Sequence, residues 1–172
     1  MPNEKNVIIA GITGGIGSAI AKRLHTQGFK IAGFAKTQEK LEALEASLEG
    51  IKTAVCDATD ADAVAARIAS FAESLGSVDA YVHAVGSIYL KPAHLTSVED
   101  WSKTIDLNLN SAFYGLRAAA KVMNKQGSGR CLFFSTAAAQ AGIANHESIA
   151  AAKGGIEALV RSAASTYSSR GI

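Results

Sequence analysis

The stretch Gly11-Ile12-Thr13-Gly14-Gly15-Ile16-Gly17-Ser18 is the part of the chain whose residue types and spacing point most directly to chemistry. Four glycines in seven residues let a backbone turn sharply and come close to a ligand. The apolar run before them and the helical pattern after them set the turn between a strand and a helix. There the free N–H groups and the positive end of the helix dipole would meet a pyrophosphate, so the loop reads as a dinucleotide cradle; the plain alternative is a tight strand-to-helix turn. Further on, Gly33-Phe34-Ala35-Lys36-Thr37 closes a second strand without the carboxylate that would bond a ribose 2′-hydroxyl, the first acid being Glu39. Lys36 with Thr37 could instead hold a 2′-phosphate by a charge-assisted hydrogen bond, which favours NADP(H) over NAD(H); a solvated loop lysine is the alternative. Cys56 and Cys131 have neither CxxC spacing nor a nearby histidine pair, so they read as core thiols and no metal site is expected.

These residues need a frame. Short strand-type runs alternate with longer helical patterns: strands are expected at 6–10, 29–35, 51–55, 78–85 and 130–135, and helices at about 16–28, 38–50, 61–76, 97–127 and 148–171. Most of these helices close on a glycine, and Thr96-Ser97-Val98-Glu99 offers a capping box for the fourth. Alternating β and α elements with short connections imply a parallel sheet covered on both faces: an α/β, doubly wound Rossmann-type fold with three α/β/α layers. Val7-Ile8-Ile9 and Cys131-Leu132-Phe133-Phe134 are continuous apolar runs, as expected of strands buried on both sides. With 172 residues, 48% of them apolar, the chain has room for one domain.

Composition narrows the function classes. Seventeen basic and fifteen acidic residues give a net charge of +2 with no basic run, so a nucleic-acid partner has no electrostatic footprint. No apolar stretch approaches the ~20 residues of a membrane span. Met1-Pro2-Asn3-Glu4-Lys5-Asn6 lacks an apolar signal core, which leads us to expect a cytoplasmic protein acting on a small molecule.

The spacing Gly11-x-x-x-Gly15-x-Gly17 resembles the cofactor loop of the short-chain dehydrogenase/reductase family, with Ala10 where that family usually has threonine. Asp57, followed by Ala58, sits after the third strand where the family contacts the adenine. His83-Ala84-Val85-Gly86 resembles the family's Asn-Asn-Ala-Gly segment, with His83 and Val85 as departures. Asn108, within Ile105-Asp106-Leu107-Asn108-Leu109, matches the family's helix asparagine, and Thr136 and Lys153 hold its serine and lysine places. The resemblance covers essentially all 172 residues. It implies a nicotinamide-dependent oxidoreductase acting on a carbonyl or alcohol. The cofactor would lie on Gly11, Thr13, Gly14, Gly15, Ile16, Gly17, Lys36, Asp57, Ala58, Ala84, Gly86 and Lys153. Asn108 would order a water, Thr136 would bond the substrate oxyanion and Lys153 would hold the ribose. It also implies a homodimer or homotetramer built on the two long helices, with Ala118, Ala119, Ala151 and Ala152 allowing close packing.

One family residue is missing. Members of the family place a catalytic tyrosine four residues before the lysine, and here that position is Ile149, which cannot transfer a proton. A general acid contributes about 10²–10⁴-fold, whereas contact between hydride donor and acceptor contributes separately, so this loss need not abolish reduction. If the last helix begins early enough, His146, Ile149 and Lys153 share one helical face. An imidazole titrates near neutrality and suits acid catalysis. His146 also coincides with the tyrosine of the related enoyl-acyl-carrier-protein reductases, which lies seven residues before the lysine. The alternatives are His146 as a surface or capping residue and water as the donor. Tyr89 is a weaker candidate, and His83 and His94 read as loop or core residues. Ile149 equally suits a catalytically inactive nucleotide-binding partner of the same fold. The sequence stops at Tyr167-Ser168-Ser169-Arg170-Gly171-Ile172, where family members enter a sixth strand. The expectation is that the sixth and seventh strands and the substrate lid are absent, leaving 130–135 as an apolar edge.

Overall fold

Five apolar runs become five strands, β1 (Asn6–Ala10), β2 (Lys30–Ala35), β3 (Lys52–Val55), β4 (Ala80–His83) and β5 (Arg130–Phe133), in a computed structural model that describes residues 5–172. The reading of Met1, Pro2, Asn3 and Glu4 lies outside the described residues. The strands form one parallel sheet in the order β3-β2-β1-β4-β5. The chain starts at the centre, winds outward to β3 and returns to β4 on the other side of β1. That reversal opens a crevice at the carboxyl ends of β1 and β4, where ligands of such sheets bind.

Helices α1 (Gly15–His25), α2 (Gln38–Ser47), α3 (Ala61–Leu75), α4 (Val98–Ile105), α5 (Ser111–Gln126) and α6 (Glu147–Tyr167) complete the layers. Successive strand side chains point to opposite faces, so β1 feeds two cores. Val7 and Ile9 pack with Ala21, Leu41 and Leu44 of α1 and α2. Ile8 and Ala10 pack with Ile68, Phe71, Ala119 and Met123 of α3 and α5. This is the doubly wound α/β/α arrangement expected from the alternation of elements. Among the described residues, no helix is long and apolar enough to cross a membrane.

Four expectations are corrected. β5 is not buried on both faces: Cys131 and Phe133 pack toward α3 and α5, but the core under α1 and α2 takes in Val82 of β4 and not Leu132, which is 49% exposed. The expected helix at 97–127 is two helices joined by a π-helical turn, Asp106–Asn110. Its cap is Ser97 rather than Thr96. Ser97 Oγ accepts the Asp100 N–H at 3.0 Å, because the Thr96 hydroxyl is drawn back to the Pro92 carbonyl at 3.2 Å and closes the preceding turn. Finally, Ala118, Ala119 and Ala152 are buried inside the chain and only Ala151 of that group is exposed. Their small side chains serve the protein's own packing rather than a face open to a second copy.

Candidate functional site

The turn between β1 and α1 divides its glycines into two roles. Gly11 has φ +74°, and a side chain there would come within 2.8 Å of the Ala84 carbonyl oxygen; a side chain on Gly17 would collide with the Gly11 carbonyl. Both positions let the turn fold back on itself. Gly15 differs, since a Cβ built on it meets nothing within 4 Å. Gly14 caps α1 with no side-chain hydrogen bond, and the first turn carries no acid. The first N–H groups of a helix have no acceptor within it, so those of α1 face open space at its positive end. The chain therefore offers what a dinucleotide diphosphate requires: unpaired donors, a positive field and no side chain in the way.

A cleft of ≈ 240 Å³ extends from this turn past the end of β2, lined among others by Thr13, Lys36, Lys40, Asp57, Ala58 and Gly86. Lys36 and Asp57, expected to serve separate parts of a nucleotide, are paired with each other at 2.8 Å. The other Asp57 oxygen accepts the Thr59 N–H at 3.0 Å and its hydroxyl at 2.8 Å. The Lys36 hydrogen bond, helped by those from Thr59, holds the Asp57 carboxyl below the usual carboxylate range. The Lys36 side chain is 65% exposed, so the pair is well solvated and free to exchange partners.

A second cleft of ≈ 320 Å³ gathers Asn108, Thr136, His146, Ile149 and Lys153, with Ile16, Gly86 and Ser87 on its walls. The expected reacting residues thus meet in one place. Asn108 sits in the π-helical turn, wholly buried; its Oδ1 accepts the Ser87 N–H at 3.1 Å and its Nδ2 donates to Thr104 O at 2.9 Å. Thr136 accepts the Ala138 N–H at 3.3 Å and keeps its own proton to donate. The adjacent Ser135 is engaged elsewhere, donating to Glu157 Oε1 at 2.6 Å. Lys153 is half-buried, and desolvation pulls its ammonium below the usual lysine range. Gly86 makes room for it, since a Cβ there would lie 3.3 Å from Lys153 Nζ and 2.8 Å from Asn108 Oδ1.

His146 is the N-cap of α6, just ahead of its first residue Glu147 and with non-helical φ −106° and ψ 12°, and it lines the same cleft as Ile149 and Lys153. Its Nδ1 lies 2.7 Å from Ala144 O, which only accepts, so Nδ1 holds the proton of the neutral ring and Nε2 is left to gain or give one. Asn145 before it adopts φ +61°, and its carbonyl accepts the Lys91 N–H at 2.9 Å, tying the loop after β4 to the start of α6. The other histidines and Tyr89 stand outside the cleft. Tyr89 donates to Asp100 Oδ2 at 2.9 Å, His94 is exposed, and His83 is buried. Lys40 and Ser87 were not anticipated. The signal for Lys40 was its place four residues beyond Lys36 at the start of α2; Ser87 contributes a backbone N–H, which no residue type announces.

The family model described as enoyl-(acyl carrier protein) reductase matches residues 11–172. This chain belongs to the short-chain dehydrogenase/reductase family. Members of that family are oxidoreductases that use NAD(P)(H). D-threitol dehydrogenase of Mycolicibacterium smegmatis is 32% identical, aligned over 98% of this chain and 66% of its own. The 3beta-hydroxysteroid dehydrogenase of Mediterraneibacter gnavus is 30% identical over 99% of this chain and 63% of its own. The crystal structure of an NAD+-bound xylitol dehydrogenase superimposes with a TM-score of 0.92 at 29% identity, over 98% of this chain and 66% of that one. The chain therefore spans about two thirds of the length of the relatives it matches.

Proposed function

We propose that residues 1–172 are a single dinucleotide-binding domain of an oxidoreductase that interconverts carbonyl and alcohol groups on a small molecule, with NADP(H) preferred over NAD(H). The observation that carries this is the convergence of Asn108, Thr136, His146 and Lys153 on one cleft beside the open amide turn. Gly15 and Ile16 would hold the diphosphate through their N–H groups, with Gly14, whose own N–H is held by the Gly11 carbonyl at 3.0 Å, leaving room beside them; Thr13, Asp57 and Ala58 would border the adenosine, and Ala84, Gly86 and Lys153 would flank the nicotinamide end. When bound, the cofactor supplies the hydride donor or acceptor. Two lysines at the adenosine cleft, Lys36 and Lys40, favour a phosphate over a hydroxyl on the ribose, with the phosphate replacing Asp57 as the partner of Lys36.

At the reacting end, the Thr136 hydroxyl donates a hydrogen bond to the substrate oxygen and the Lys153 ammonium adds positive charge beside it. His146 delivers the proton from Nε2 where the family uses the tyrosine replaced here by Ile149. Asn108, anchored to Ser87, orders a water. A homodimer or homotetramer in the cytoplasm remains the expected setting. Its contacts would use exposed groups such as Trp101 and Phe113 rather than the buried alanines.

The test is fluorescence titration with NADPH and NADH, followed by turnover on a panel of ketones, quinones and acyl thioesters. His146→Ala should lower turnover by about tenfold or more while leaving cofactor affinity unchanged; an unchanged rate removes His146 as donor. Binding without turnover on any member of the panel would favour the inactive nucleotide-binding partner instead.

A further inference from the structure

Beneath the cleft lies a run of buried polar side chains that takes no part in the chemistry just described. Tyr81, His83 and Ser111 are 0%, 2% and 1% exposed, and their hydrogen bonds fix one another's direction. Ser111 Oγ lies 2.6 Å from Leu107 O, which only accepts, so the hydroxyl proton is committed there. The Ser111 oxygen must then accept at its 3.1 Å contact with His83 Nε2, which carries the imidazole proton. That leaves Nδ1 as acceptor for the Tyr81 hydroxyl at 2.9 Å. The Tyr81 hydroxyl in turn lies against Gly115 of α5, where any side chain would overlap it. Burial, with the charge of Lys153 nearby, keeps the ring neutral by lowering His83 to about 3.

The chain of hydrogen bonds ends at an informative atom. In an α-helix the Leu107 carbonyl would receive the Ser111 N–H, but here that N–H reaches one residue further back to Asp106 O, as a π-helical turn requires. The Ser111 hydroxyl takes the place of the displaced amide at Leu107. The same turn carries Asn108, whose Oδ1 holds the Ser87 N–H at the cleft wall. Neither His83 nor Ser111 lines the cleft, and the π-helical turn links their hydrogen bonds to Asn108, which does.

We propose that the Tyr81–His83–Ser111 chain of hydrogen bonds holds the helix open at Leu107 and so sets where Asn108 meets the cleft, making His83 and Ser111 positioning residues. The inference rests on the reading of Asn108 as a site residue. Its test needs no cofactor or substrate. In backbone amide exchange on the folded full chain, Ser111→Ala should speed exchange of the Ser87 N–H by about tenfold or more while the Ile9 amide in the sheet keeps its native rate. Ser111→Thr, which retains the hydroxyl, should restore protection at Ser87. Nitrogen NMR of the native protein should show His83 protonated on Nε2 alone and unchanged from neutral pH down to about 5. Native-like Ser87 protection in Ser111→Ala, equal acceleration of Ser87 and Ile9, no rescue by threonine, or a His83 ring that titrates near neutrality would each overturn the proposal. Failure of NADPH to bind would instead sink the functional reading and leave these exchange rates as they are.

Discussion

Gly15 and Gly17 are two positions apart, yet their substitution should separate ligand binding from folding. Gly17→Ala drives a Cβ into the Gly11 carbonyl, so it should cost about 1–3 kcal/mol in urea unfolding and abolish nucleotide binding with it. Gly15→Ala meets open space and should leave the unfolding midpoint nearly native while weakening NADPH, because the new methyl stands where the diphosphate would lie. Equal effects of the two substitutions on stability would contradict this division. A second prediction concerns His83. Its folded value of about 3 lies below the ordinary 6.5, so between those pH values the unfolded chain binds more protons than the folded one. Stability should therefore be insensitive to this group above pH 6.5 and fall below it, with a slope of up to about 1.4 kcal/mol per pH unit. Comparing urea unfolding of native protein and His83→Asn from pH 7.5 to 5 isolates that slope; parallel curves would show that His83 does not cause it.

Among the elements, α3 is held at its start by Asp60, whose Oδ1 accepts the N–H groups of Asp62 and Ala63 at 3.0 and 2.9 Å. Asp60→Ala should cost about 1 kcal/mol by thermal or urea unfolding and leave the cleft chemistry unchanged. Much of this level was legible in the sequence, because strand runs such as Val7-Ile8-Ile9 and helix ends at Gly76 and Gly127 are local signals. What was not legible depends on partners distant in sequence or on competition between neighbours. Thr96 and Ser97 are both able to cap α4, and only the closing of the turn at Pro92 decides between them. The π-helical turn interrupts no apolar pattern and owes its form to Ser111 and to His83, 28 residues before it. Lys36 reads as a phosphate ligand from its own neighbourhood, while its pairing with Asp57 appears only when β2 and β3 lie side by side. At the site, the spacing of His146, Ile149 and Lys153 was readable because they lie close in sequence on one helix and its cap; the bond from His146 to Ala144 was not.

At the scale of the whole molecule, a parallel sheet with separate cores on its two faces holds the β1–α1 turn, the adenosine cleft and the reacting cleft along one edge. The sheet does not shield its last strand equally, and Leu132 on β5 remains half exposed. The site depends on long-range order: the turn that would hold a diphosphate and the helix that would deliver a proton meet only because β4 and β5 lie on the far side of β1 from β2. The central claim is that this framework presents an amide cradle to a dinucleotide. Calorimetric titration of the folded chain with NADPH and NADH tests it most directly. Both should bind at one site, NADPH more tightly, and removing both Lys36 and Lys40 by substitution with alanine should erase the difference by weakening NADPH about tenfold or more. Absence of heat from either nucleotide with folded protein would contradict the account.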